Sequence, residues 1–149
     1  MVFGFRDIPA MQKLSLIHIS REQAFALIFE QSFNHDSIAY IIDNASLSRD
    51  IEVADFAKKV ATGVEMYEDV INQKIEQYIR TWKMNRLSKV TLSLLRLAIY
   101  EMMFEQEIPI SVSINEAVDL AKKYGGNDDA PFINGVLGSV AKELDKEDA

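Results

Sequence analysis

The chain has 149 residues, 48% of them hydrophobic, enough for one domain whose core folds without disulfides or metals. It contains no cysteine, which excludes a disulfide framework, a thiolate metal site and a cysteine nucleophile. Sixteen Lys and Arg against 23 Asp and Glu give a net charge of −7, the wrong sign for holding nucleic acid by bulk electrostatics, so any such site must be local or shared with a basic partner.

The N-terminus lacks the layout of a secretory signal, and no apolar run approaches the roughly 18 residues needed to cross a bilayer. The chain therefore reads as soluble and cytoplasmic, with no membrane partner. Residues 1–19 show neither helical nor strand periodicity. Leu14-Ser15-Leu16-Ile17-His18-Ile19 is also what one frame of a common transposon-derived sequencing adapter encodes, so residues 1–19 read as a non-native or disordered arm. Ser20-Arg21-Glu22-Gln23 has the S-x-x-Q form of a capping box and predicts a helix start at Ser20. Ala24, Phe25, Leu27, Ile28 and Phe29 continue that helix, and Asn34-His35-Asp36 closes it. Ile38, Tyr40, Ile41 and Ile42 predict a short second helix ending near Asn44–Ser46. From Asp50 to Arg80 the apolar residues recur close to every 3.6 positions, over a length that suggests two helices broken between Gly63 and Asp69.

Thr81 to Arg86 is a polar joint around Trp82. Leu87 to Phe104 is apolar nearly all round and predicts a central, covered helix. Pro109 breaks the chain after Phe104 and opens a helix from Ile110 to Tyr124, closed by Lys122, Lys123 and Gly125-Gly126. Asp128 or Asp129 caps a final helix through Phe132, Ile133, Val136, Leu137, Val140 and Leu144, and Asp145 to Ala149 reads as a frayed tail. The expected fold class is all-α, about seven helices in two small bundles packed side by side. The first covers residues 20–81, the second 82–149, and the two share one core.

Catalytic chemistry finds little support. There are two histidines; His18 lies in the odd N-terminal stretch and His35 reads as a turn residue. Glu65, Glu68 and Asp69 lie at helical spacing, but a solvated acidic face explains them better than a carboxylate pair. No phosphate-binding glycine loop occurs, and Gly125-Gly126 is explained as a helix stop. No enzyme, metal or cofactor is expected. Arg96, Asn115 and Glu116 interrupt apolar runs; if buried they need partners, and Arg96 with Glu101 or Glu116 is the simplest pairing. Gly135 and Gly138, costly inside a helix, suggest close approach of another helix. Phe25, Phe29 and Phe132 could stack on unpaired bases, although core filling is the simpler account of each.

The string Val112-Ser-Ile-Asn-Glu-Ala-Val-Asp-Leu-Ala-Lys-Lys-Tyr-Gly125, followed by Phe132-Ile-Asn-Gly-Val-Leu137, closely resembles the C-terminal signature of the NusB family. Leu94-Leu-Arg-Leu-Ala-Ile-Tyr-Glu101 resembles its central helix, Trp82 through Leu87 the approach to it, and Ser20 through Phe29 its first helix. The resemblance implies two helical subdomains and a transcription antitermination factor. Such a factor binds boxA-type RNA of ribosomal RNA operons together with the ribosomal protein NusE, in a complex that keeps RNA polymerase processive. It further implies Arg21, Asp128 and Phe132 at the RNA and Phe29 and Thr91 facing NusE; Lys89 is placed to add a phosphate contact. Of the family's arginine-rich arm only Arg21 is matched, and Thr91 stands where some members carry Glu. A homodimeric or purely protein-binding module is the alternative. NusB-like domains also occur fused to S-adenosylmethionine-dependent RNA methyltransferases, but no glycine-rich Rossmann segment is present here.

Overall fold

The computed structural model describes residues 10–48, 52–79 and 83–148, with side chains at 17–45, 52–79 and 83–145. Seven α-helices appear among them: α1 (Ala10–Asn34), α2 (Ile38–Ser48), α3 (Asp55–Met66), α4 (Glu68–Tyr78), α5 (Lys89–Phe104), α6 (Ile110–Tyr124) and α7 (Asp129–Asp148), with a 3-10 turn at Met84–Arg86. No strand occurs among the described residues, and no helix there is long and apolar enough to cross a membrane.

Helix α5 lies at the centre, packed against α1, α3, α4, α6 and α7. Its residues explain that position. Leu94, Leu95, Leu97, Ala98 and Ile99 point to different sides of the helix, yet each is at most 1% exposed. Burial of each leucine contributes about 1.5–3 kcal/mol, obtainable only if neighbours cover the helix all round. Ser88 starts it, its hydroxyl accepting from the Thr91 amide at 3.1 Å, as an N-cap serine does. One hydrophobic cluster joins residues of both halves, from Ala24 to Val140, so the two bundles share a core.

The break expected between Gly63 and Asp69 falls at Tyr67. Gly63 is buried against the Tyr100 ring, whose Cε2 would lie 2.3 Å from an added Cβ; α3 and α5 approach there as closely as they do because position 63 has no side chain. Turn residue His35 adopts φ 58°, consistent with its place as a helix stop. Glu65 is no member of a free acidic face. Its Oε2 accepts from the Gln31 side chain at 2.5 Å and from the Ile38 amide at 3.0 Å, so a carboxylate on α3 satisfies the first turn of α2.

Several expectations need correction. Helix α1 begins at Ala10 and runs unbroken through Ser20, which is 8% exposed inside it. The S-x-x-Q string therefore caps nothing: Gln23 reaches outward, accepting from the Ala54 amide at 2.9 Å and donating to the Glu52 carbonyl at 3.3 Å. Helix α3 starts at Asp55 rather than Asp50. Arg96 pairs with neither Glu101 nor Glu116 but with Asn72 at 3.1 Å and Glu68 at 3.4 Å, both on α4, and burial lowers its pKa. Gly135 and Gly138 face open space, with nothing within 4 Å of where an added Cβ would lie, so no second helix approaches them. Gly125 ends α6 in an extended conformation, φ −103°. What favours glycine there is crowding, since an added Cβ would lie 2.7 Å from Asp129 Oδ2 and 2.8 Å from the Ala121 carbonyl. The expectations for residues 1–9, Trp82 and Ala149 lie outside the described residues.

Candidate functional site

Helix α1 runs antiparallel to α5, Arg21 meeting Glu101 and Ser32 meeting Lys89. Along its second half α1 carries Phe25, Phe29 and Phe33, one helical turn apart and therefore on one face. The rings touch in sequence: Phe25 and Phe29 stack with centroids 5.7 Å apart, and Phe29 meets Phe33 edge-on at 4.9 Å. Tyr124, at the end of α6, closes on Phe25 at 5.3 Å. The series grades from core to solvent. Phe25 is 4% exposed, Phe29 half-buried, Phe33 54% exposed and Tyr124 45%.

These rings, with Val53 and Val90, line an open groove of about 630 Å³. An apolar trough with a few polar groups at its edge is the usual form of a binding surface. At one end the Lys89 ammonium sits 4.9 Å from the centroid of the Phe33 ring and donates to the Ser32 carbonyl at 2.8 Å. At the other end Glu22 accepts from Lys123 at 2.6 Å and from the Tyr124 hydroxyl. Those two hydrogen bonds, Lys123 first, hold the Glu22 carboxyl below its usual value, and the Lys123 ammonium is raised by the same contact.

Beyond Tyr124 the chain turns through Gly125–Asp128 into α7. Asp128 is exposed, its carbonyl accepting from the Phe132 amide at 3.3 Å, and Phe132 is half-buried against the core. Between this turn and α6 lies a second concavity of about 440 Å³, lined in part by Lys122, Asn127 and Asn134.

Phe29, Lys89, Asp128 and Phe132 are thus at or near the surface, the first two on the aromatic groove and the last two past its Tyr124 end. The remaining two sequence-derived site residues are not available. Arg21 is 1% exposed. Its guanidinium is bidentate on Glu101, with Nε at 3.0 and 2.9 Å and Nη2 at 2.7 Å, and Nη1 lies 3.7 Å from Glu116. Ser113 adds a bond to Glu101 at 3.3 Å, and His18 contacts Glu116. Burial pushes the Glu101 carboxyl up from its usual value against the opposing pull of Arg21 and Ser113. A phosphate contact from Arg21 is incompatible with that placement, because withdrawing it would strand a buried carboxylate. Thr91 is 2% exposed and its hydroxyl has no partner among the described residues, so it offers no direct contact to another protein. Phe33 and Tyr124, overlooked in the sequence, supply much of the groove's open surface; the regular spacing of Phe25, Phe29 and Phe33 was the signal for the first.

A family model described as the NusB family matches residues 18–142. The transcription antitermination protein NusB of Clostridium novyi (strain NT) is 42% identical over 127 residues, covering 83% of this chain and 96% of that protein. NusB of T. maritima superposes with a TM-score of 0.74 at 34% identity, covering 85% of this chain and 90% of that one. The antitermination factor NusB crystallised with NusE and double-stranded RNA shares the fold, at a TM-score of 0.74 and 24% identity, over 83% of this chain and 94% of that one. The match extends along α1 to α7, and on it the chain belongs to the NusB family of transcription antitermination proteins, which are regulatory rather than catalytic.

Proposed function

We propose that this chain works in the cytoplasm as an antitermination factor that binds boxA-type RNA of ribosomal RNA operons jointly with NusE, stabilising processive RNA polymerase complexes. The observation that carries the reading is the half-open aromatic groove on α1, with Lys89 at one end and, past the other, Asp128 in the turn and Phe132 in the first turn of α7. It offers apolar area to a protein partner beside exposed polar and aromatic residues suited to RNA. A relative crystallised with both NusE and RNA supports the pairing of functions. In this assignment Phe29, with Phe33 and Tyr124, faces NusE. Lys89 contacts phosphate, Phe132 stacks on a base and Asp128 moderates affinity as an acidic neighbour. With Arg21 committed to the core and a net charge of −7, most of the positive potential has to come from the partner.

Titration of labelled boxA RNA with the chain, alone and with NusE, tests the reading. Weak binding alone and tight binding with NusE are expected. A chain that binds RNA in neither case and sediments as a dimer belongs instead to the homodimeric, protein-binding alternative.

A further inference from the structure

A second apolar surface lies at the far end of α5. Tyr67, at the joint of α3 and α4, stacks on Phe104, the last residue of α5, with centroids 4.5 Å apart and planes 22° from parallel. Phe104 also meets Tyr100 at 5.2 Å, and Tyr100 is seated against Gly63, so the platform is fixed from behind. Tyr67 is 39% exposed and Phe104 38%; Met66, beside Tyr67 in the chain, is 69% exposed and Val70 42%. Aromatic rings left half in water are a surface from which burial by a partner would gain free energy. The length of α5 puts this surface roughly 22 Å from Lys89 and Phe33, apart from the groove described above.

Its charge selects the partner. Asp69, two residues past Tyr67, and Glu107, three past Phe104, are exposed carboxylates, and Glu68 and Glu105 add charge beside them within ion pairs. The cations near it are engaged: Lys59 by Glu105 at 3.1 Å, and Arg96 by Asn72 and Glu68. Phosphates would be repelled by this rim. A second copy would bring the same acidic rim on a chain of net charge −7, which costs rather than gains. We infer that the Tyr67–Phe104 surface docks a basic polypeptide segment of another protein, one that carries arginines or lysines together with an apolar anchor. The anchor covers the exposed rings, while a guanidinium can lie on the Tyr67 face and bond the neighbouring carboxylates.

The test uses the full chain, isotopically labelled for NMR, and a synthetic peptide alternating arginine with phenylalanine; its counterpart has glutamate in place of arginine. The arginine peptide is expected to shift the amides of Met66–Val70 and Phe104–Glu107 and to lose affinity as salt rises. Asp69→Lys combined with Glu107→Lys is expected to weaken it about tenfold, the two sites being exposed and the thermal midpoint little changed, whereas Phe33→Ser leaves it unaffected. Three results would overturn the inference: equal binding of the glutamate peptide, shifts confined to the groove, or salt-independent binding. So would a homodimer, seen by sedimentation, that Tyr67→Ser disperses. The parent chain's boxA titration reads the function proposed above separately, since neither charge variant touches the groove.

Discussion

Helix α1 meets α5 at two places of opposite character. At Arg21 the contact is charged and closed: a guanidinium and a carboxylate, both sealed from water, tie α1 to α5 with Ser113 of α6 as a third partner. At Phe33 and Lys89 the contact is aromatic and open, its rings and ammonium facing solvent. The charged residue that looks made for a phosphate is structural, while phenylalanines that look like core filling are available to a partner. Residue type alone does not say which side of a helix is for folding and which for binding; the depth of each contact does.

The largest effect should come from breaking the closed contact. Arg21→Ala is expected to cost about 3–5 kcal/mol in denaturant unfolding, because Glu101 is left buried without its counter-charge. Arg21→Met combined with Glu101→Met should recover most of that loss. A midpoint unmoved by Arg21→Ala would return Arg21 to the surface and erase the contrast. Gly63→Ala, which drives a methyl into the Tyr100 ring, is expected to cost about 1–3 kcal/mol in the same measurement.

At the open contact the readout changes from stability to binding. Phe33→Ser should leave the unfolding midpoint within about 0.5 kcal/mol while weakening NusE binding about tenfold by calorimetry, or about 1.4 kcal/mol. A fall in stability with binding intact would make Phe33 part of the fold instead. Gly135→Ala, with open space around it, should stabilise by up to about 1 kcal/mol, the helix-propensity difference, as a higher melting temperature. The smallest effect belongs to acid. The Glu22 carboxyl is lowered in the folded state by Lys123 and Tyr124. Its contribution is therefore present above the usual carboxylate range and lost as pH falls through the lowered value. Tyr124 fluorescence or NMR shifts should report release of its hydroxyl in that acid range, and Glu22→Gln should remove the transition.

Much of the framework is legible in the sequence because it rests on local rules. The apolar run from Leu87 to Phe104 announces the central helix, Pro109 its separation from α6, and the Gly63–Asp69 interval the α3–α4 joint. What escapes depends on contacts between distant positions. The S-x-x-Q string at Ser20 matches a cap, yet Gln23 serves residues 52 and 54. Apolar context pairs Arg96 with Glu101, but five helical positions turn two side chains to different faces; Glu101 instead finds Arg21, 80 positions away. For the candidate site, Lys89 is placed by the sequence itself, whereas Phe29, Arg21 and Thr91 rest on family resemblance. Phe29 falls on the groove with Lys89 while Arg21 and Thr91 are buried, because resemblance carries position in the chain but not depth in the fold.

The bond from Glu65 to the start of α2 has a consequence for how that helix is held. An 11-residue helix is too short to persist alone in water, and its leading amide is satisfied by a carboxylate 27 positions further along the chain. Docking of α3 therefore holds the first turn of α2, whose remaining length also packs on α1. In hydrogen exchange the amide of Ile38 should open together with α3 rather than with the rest of its own helix, one protected proton reporting when two separate segments have come together.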